Sequence, residues 1–93
     1  MKKKQSGDAP KNEAEIIEMG KFYFLNGKYD NAIDEFNKAL EINPGNAEVY
    51  YHLGLIFENR NMSAEAQDMY EKALSINPNM KLAREHLNKI IGL

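Results

Sequence analysis

The chain of 93 residues contains no cysteine, only three prolines and no long apolar run. The absence of cysteine excludes disulfides and thiolate chemistry and is consistent with a reducing compartment. No stretch approaches the ~20 apolar residues that span a bilayer. The N-terminal lysines are followed by polar residues where a secretory signal would be apolar. We therefore expect a cytoplasmic protein without a membrane partner.

Several kinds of catalytic and ligand-binding motif are also missing. The sequence contains no glycine-rich phosphate loop and no Ser–His–Asp or Cys–His arrangement. Its two histidines, His52 and His86, are 34 residues apart, and a metal would need a third ligand such as Glu48 or Glu85. Two histidines alone are a weak metal signal, so we predict no enzymatic activity, no cofactor and no metal.

Charge is distributed unevenly along the chain. Residues 12–80 contain five basic and twelve acidic side chains, whereas the two ends together contain seven basic and two acidic ones. An acidic body argues against nucleic-acid binding, because phosphate recognition needs a basic patch. Basic ends against an acidic body would favour head-to-tail contacts between copies of the chain.

The three prolines mark an internal repeat. Pro10, Pro44 and Pro78 are each 34 residues apart, and laying residues 13–46 over residues 47–80 yields nine identities. The identical pairs are Gly20/Gly54, Ala32/Ala66, Asp34/Asp68, Lys38/Lys72, Ala39/Ala73, Leu40/Leu74, Ile42/Ile76, Asn43/Asn77 and Pro44/Pro78. Near the end of each repeat stands Asn-Pro, which stops a helix because proline disfavours helical backbone in the preceding residue.

Apolar residues follow a helical period within each repeat and predict five helices. The predicted ranges are residues 13–26, 29–42, 47–60, 63–76 and 79–91. Asn12, Asn46 and Ser63 are predicted N-caps, because their side chains can accept from backbone amides of a first turn. Residues 1–12 show no periodicity and are predicted to form a disordered basic tail. The fifth helix is predicted to cover the open end of the stack.

These residues resemble the tetratricopeptide repeat (TPR) family over about 80 positions. Repeat one matches the family pattern with Ile16, Met19, Gly20, Tyr23, Ala32, Phe36, Ala39 and Pro44; repeat two does so with Tyr50, Leu53, Gly54, Phe57, Ala66, Tyr70, Ala73 and Pro78. The resemblance implies an all-α, right-handed superhelical stack of antiparallel helix pairs, an α-solenoid of five helices. Repeat one would be residues 13–46, repeat two residues 47–80 and the capping helix residues 81–93, within one TPR domain of residues 13–93.

The resemblance also implies a concave groove, lined by the first helix of each repeat, that binds short peptide segments. The equivalent positions are Ile17, Lys21, Phe24, Leu25, Glu48, Tyr51, Leu55, Glu58, Asn59, Glu85 and Lys89. Apolar side chains in this set favour an apolar or amphipathic peptide, or a helix, as partner. The alternative is that they pack on the N-terminal tail or on a second copy of the protein.

One subgroup of the family captures acidic C-termini through a clamp of lysine, asparagine and arginine side chains. The corresponding positions here are Ile17, Lys21, His52, Leu82 and His86, and none carries the residue that the clamp requires. We therefore predict a non-catalytic scaffold or adaptor that binds another kind of protein segment. The alternative function is a self-associating structural unit that forms homo-oligomers through its repeat ends.

Overall fold

The computed structural model describes residues 12–93, and this part of the chain forms five α-helices without a strand. The helices are α1 (Glu13–Leu25), α2 (Tyr29–Ile42), α3 (Ala47–Asn59), α4 (Ser63–Ile76) and α5 (Lys81–Ile91). Four of them agree with the predicted ranges to within one residue. The predicted tail lies outside the described residues, except for Asn12.

The prediction that the fifth helix starts at residue 79 is wrong by two residues. The Asn77 side chain accepts a hydrogen bond from the Asn79 amide at 3.1 Å, and the Met80 amide donates to the Asn77 carbonyl at 3.2 Å. These bonds hold the residues after Asn77 in a turn, so helical backbone begins only at Lys81. Asn43 binds the Gly45 amide in the same way at the end of repeat one, at 3.0 Å.

Two of the three predicted N-caps are confirmed. The Asn12 side chain accepts from the Glu15 amide at 2.8 Å and the Glu15 carboxylate accepts from the Asn12 amide, which together form a capping box. Asn46 caps α3 by accepting from the Glu48 and Val49 amides. Ser63 is not a cap, because it already lies inside α4 and the preceding Met62 occupies the cap position without a side-chain hydrogen bond.

Helix pairs approach closely at the two glycines that the repeats share. A Cβ at Gly20 would lie 2.6 Å from the Phe36 ring, and one at Gly54 would lie 2.5 Å from the Tyr70 ring. Both distances are shorter than van der Waals contact, so each aromatic ring occupies the space that a side chain on the facing helix would need. At the corresponding position of α5 the chain has Asn88 in place of glycine.

Within each helix pair, the connection needs a residue with positive φ. Gly27 has φ of 73°, and the residue 34 positions later is Asn61 with φ of 60°. Asparagine is one of the few residues other than glycine that adopts this left-handed region at low cost. The same turn geometry is therefore kept in repeat two by a different residue type.

The core consists of two apolar clusters along the stack. The first joins α1, α2 and the near side of α3 around Phe36, Val49 and Ile56, which are fully buried. The second joins α4 and α5 around Tyr70, Ala83 and Leu87. The two clusters share the half-buried Phe57 of α3. This arrangement leaves the first helices of successive pairs, α1, α3 and α5, as neighbours along one face.

Candidate functional site

The candidate site is the surface formed by α1, α3 and α5, which we call the groove face. It comprises the accessible predicted positions Lys21, Phe24, Leu25, Glu48, Tyr51, Leu55, Glu58, Asn59, Glu85 and Lys89, together with His52 and His86. Two polar side-chain contacts join the three helices across this face, one between α1 and α3 and one between α3 and α5. The predicted positions from separate repeats are therefore brought together.

An ion pair links the first two helices of the groove face. Lys21 Nζ lies 2.9 Å from a Glu48 carboxylate oxygen and 3.4 Å from Glu18. The hydrogen bond to Glu48 raises the pKa of Lys21, and the same bond lowers the pKa of Glu48. Both side chains are only partly exposed, so the pair fixes two charged groups whose positions would otherwise vary.

Glu58 is the centre of a second polar cluster between α3, α4 and α5. One oxygen of its carboxylate accepts from the Tyr70 hydroxyl at 2.6 Å and lies 2.9 Å from His86 Nδ1. Because an ionised carboxylate only accepts, the His86 ring donates from Nδ1. Partial burial opposes ionisation of Glu58, but the hydrogen bonds from Tyr70 and His86 outweigh it and lower the pKa of Glu58. Burial and the bond to Glu58 strongly raise the pKa of Tyr70.

Aromatic rings surround this cluster. The ring centroid of Tyr51 lies 6.0 Å from the ring centroids of Tyr70 and His86. Burial, followed by the negative charges of Glu58 and Glu85, raises the pKa of Tyr51. The phenol therefore remains neutral at physiological pH and offers the groove face an apolar ring with one hydrogen-bonding group.

His52 lies between the two polar clusters. Its ring stacks on Phe36 with an interplanar angle of 3° and a centroid separation of 5.4 Å. Its Nε2 lies 3.5 Å from Glu48, whereas its buried Nδ1 has no hydrogen-bond partner. Burial lowers the pKa of His52 despite the nearby Glu48 carboxylate. His52 is therefore held neutral against the aromatic core.

Ile17 does not belong to the accessible surface, which corrects the sequence-based prediction. It is only 6% exposed and lies in the first core cluster. Tyr51, at the equivalent position of repeat two, is larger and stays half-buried. Of the other apolar positions predicted for the first repeat, Phe24 is half-buried against the core and Leu25 is 81% exposed.

The remaining predicted positions differ in what they contribute. Leu55 is half-buried against the second cluster. The Asn59 side chain donates to the Leu55 carbonyl at 2.8 Å, so its amide is engaged within α3. Lys89 lies close enough to Glu58 to lower the pKa of that carboxyl. Glu85 is exposed beside the His86 ring.

Tyr70 contributes to the candidate site, although the sequence predicts it only as part of the repeat core. It is fully buried, yet its hydroxyl fixes Glu58 on the groove face. Comparison of the two repeats contained the signal, because repeat one has Phe24 and Phe36 where repeat two has Glu58 and Tyr70. A polar pair that replaces an apolar pair at both positions indicates that the two residues contact each other.

Within residues 12–93, no group of three or more His, Cys, Asp or Glu side chains is arranged to hold a metal ion. No helix in this part of the chain is long and apolar enough to cross a bilayer. The side chains described above give the groove face paired charges, aromatic rings and a few exposed apolar side chains.

Known proteins resemble this chain in sequence and structure. The family models "TPR repeat" and "Tetratricopeptide repeat" match residues 20–60 and 47–80. A peroxisomal targeting signal receptor of Candida albicans is 39% identical over 69 residues, which are 74% of this chain and 12% of that protein. Tetratricopeptide repeat protein 14 of Mus musculus is 31% identical over 87 residues, which are 94% of this chain and 11% of that protein.

A crystal structure of MamA matches with a TM-score of 0.81 and 26% identity, over 85% of this chain and 46% of that one. This chain spans only about an eighth of the length of the relatives that it matches in sequence. The two family models together cover residues 20–80, and the stacked helix pairs have the architecture that those models describe. The chain therefore belongs to the tetratricopeptide repeat family.

Proposed function

We propose that the groove face binds a peptide or helical segment of another protein without catalysis, so that the chain acts as a scaffold or adaptor. TPR proteins typically mediate protein–protein interactions, and relatives of this chain are named as receptors for a targeting signal. We also propose that the protein acts in the cytoplasm.

The observation that supports the proposal is the fixed position of the polar groups on the groove face. Lys21 is held by Glu48, and Glu58 is held by Tyr70 and His86. Side chains that are already ordered lose little conformational freedom when a ligand binds, which favours affinity. A partner would meet these groups in the same geometry in every copy of the protein.

The chemistry of the surface favours an amphipathic partner. The charged groups of the groove face largely neutralise one another. The free energy of binding should therefore come from covering the apolar and aromatic side chains Phe24, Leu25, Tyr51 and Leu55. Covering such a side chain is worth about 1.5–3 kcal/mol before the cost of ordering the ligand. An amphipathic segment can cover these side chains while its polar groups meet the two clusters.

Leu25→Asp is the sharpest test of this site. Leu25 is 81% exposed, so the variant should fold like the wild type. Tyr51→Glu is less suitable, because a third carboxylate beside Glu58 and Glu85 would also strain the fold. Leu93→Asp is the matched control, since Leu93 is 87% exposed at the far end of the stack.

The measurement uses a peptide selected on the wild-type chain from a random display library, with affinities determined by calorimetry. Loss of one covered leucine should weaken binding about tenfold to a hundredfold in Leu25→Asp. Leu93→Asp should bind like the wild type. Equal affinity of both variants and the wild type would place the binding surface elsewhere.

We also propose, as a second candidate, that copies of the chain associate through the ends of the stack. The observation that favours it is an apolar surface on the outer side of α1, where Phe22 is 58% exposed. Two repeats bury little surface, and contact between ends would bury more.

A further inference from the structure

The outer side of α1 carries an open apolar cavity that the groove face does not include. Its volume is about 580 Å³, and it is lined by Ala14, Glu15, Glu18, Met19 and Phe22. Most of this lining is apolar, and the two carboxylates lie among the apolar side chains. The cavity is the end surface of the stack in the described part of the chain.

Comparison of the repeats identifies what this surface normally contacts. The residues 34 positions after Glu15, Met19 and Phe22 are Val49, Leu53 and Ile56. On α3 those three are buried in the first core cluster together with residues of α2. Ile56 is fully buried there, whereas Phe22 is 58% exposed. The outer side of α1 is thus the type of surface that a neighbouring helix covers inside the stack.

The opposite end of the stack has a different character. Outside the groove face, to which Glu85 and Lys89 belong, α5 carries two cationic side chains, Lys81 and Arg84. Its exposed apolar residues are Leu82 and Ile91, at 57% and 45% exposure. α1, in contrast, places the carboxylates of Glu15 and Glu18 at the cavity, whereas Glu13 accepts from Asn43 and Asn46 and Lys21 belongs to the groove face. The two ends are both apolar in part, and they are opposite in charge.

We propose that the acidic α1 end of one copy docks on the cationic α5 end of a second copy. This inference rests on the self-association proposed above and names the surfaces that make the contact. Pairing α1 with α1 or α5 with α5 would place like charges against each other, which costs free energy. Only the head-to-tail arrangement pairs opposite charges while it covers Phe22.

The proposed contact determines the size of the assembly and the strength of the association between copies. A head-to-tail contact does not use the same surface on both partners, so repeated addition produces an open chain of copies unless the rotation closes a ring. One helix from each copy contributes an area below the ~800 Å² per partner of a standard interface. Association should therefore be weak and strongly dependent on protein concentration.

The position equivalent to Gly20 and Gly54 supports a contact of this limited kind. In α5 this position is Asn88, so a side chain begins where the two repeats have glycine facing an aromatic ring. A second copy therefore cannot approach α5 as closely as α4 approaches α3. The interface involves the longer side chains of α5, its cations and Ile91, rather than close backbone contact.

Sedimentation equilibrium of the full chain tests the charge pairing. The mass of the wild type at about 0.5 mM should rise above that of the monomer at low salt and fall when added salt shortens the screening length to about 3 Å at 1 M. Glu18→Lys and Arg84→Glu should each weaken association about threefold to tenfold, and the double variant should recover it. Asp34→Lys, with the same charge change on the exposed side of α2, should associate like the wild type.

Cross-linking identifies which ends meet. Because the chain has no cysteine, Ala14→Cys and Asn88→Cys each introduce a single thiol and leave every charge in place. A mixture of the two variants under mild oxidation should form the 14–88 disulfide in preference to the 14–14 and 88–88 disulfides.

The outcomes separate the two proposals. A monomeric mass at every concentration and salt level would overturn self-association itself, and the head-to-tail contact with it. A mass that rises with concentration and grows with salt, or a preference for 14–14 or 88–88 disulfides, would leave self-association standing and overturn the head-to-tail arrangement.

Discussion

Replacing Gly54 with alanine should destabilise the fold, although alanine is the better helix former. The new Cβ would lie 2.5 Å from one carbon of the Tyr70 ring and 2.7 Å from the next. The ring has no room to retreat, because Tyr70 is fully buried and its hydroxyl is held by Glu58 at 2.6 Å. Relief therefore requires α3 and α4 to move apart.

The magnitude follows from two opposing effects. Overpacking of a filled core costs about 1–3 kcal/mol. Replacing glycine with alanine inside a helix returns up to about 1 kcal/mol. Since the Tyr70 ring is held by Glu58 at its hydroxyl as well as by its attachment to the backbone, we expect a net loss of about 1–2 kcal/mol in the free energy of unfolding. Gly20→Ala should cost less, because the Phe36 ring has no polar anchor.

Urea unfolding followed by far-ultraviolet circular dichroism at neutral pH measures these differences. Gly45→Ala is the control, because its Cβ would meet nothing closer than 3.5 Å. That variant should be neutral or slightly stabilised, by up to about 1 kcal/mol. If Gly54→Ala were as stable as Gly45→Ala, the close contact between α3 and α4 would not exist and the packing described above would be wrong.

Three further predictions concern the caps and the polar clusters. Tyr70→Phe should lower the free energy of unfolding by about 1–3 kcal/mol, because Glu58 loses a charge-assisted hydrogen bond. Chemical denaturation measures this difference, and an unchanged free energy would show that the bond does not exist. The pKa of His52 is lower in the fold than in the unfolded chain, so wild-type stability should decline as pH falls below about 6.5. His52→Gln should flatten that dependence in melting curves recorded from pH 5 to pH 7.5. Asn12→Ala should cost about 0.5–2 kcal/mol and Ser63→Ala much less, since the Asn12 side chain caps a helix and that of Ser63 does not. Equal losses, measured by urea unfolding, would refute the assignment.

Local signals accounted for most of the fold. The 34-residue period, the Asn-Pro helix stops and the apolar spacing placed four helices to within one residue, because each depends on a few neighbouring residues. The fifth helix was placed two residues early, at Asn79, although the repeat indicates Lys81, which lies 34 residues after Ala47 at the start of α3. Ser63 failed as a cap because a suitable residue type does not fix which residue starts the helix.

The candidate site was less predictable, because it depends on how far side chains extend from the stack. Ile17 and Tyr51 occupy equivalent positions, yet the isoleucine is contained in the core and the larger tyrosine remains half-buried. The bonds from Tyr70 and His86 to Glu58 join residues 12 and 28 positions apart. Helix periodicity alone does not indicate such pairs. The substitutions between repeats indicate only the pair of Tyr70 and Glu58, since the residue equivalent to His86 is also a histidine, His52.

Binding of partner segments on α1, α3 and α5 is the basis of the proposed function. Nuclear magnetic resonance of the isotopically labelled chain can map it, by titration with a peptide selected on the wild type. The amide signals that shift most should belong to residues around Lys21, Leu25, Tyr51, Leu55 and Glu85. Shifts concentrated on the exposed sides of α2 and α4, around Asn37 and Glu71, would contradict it.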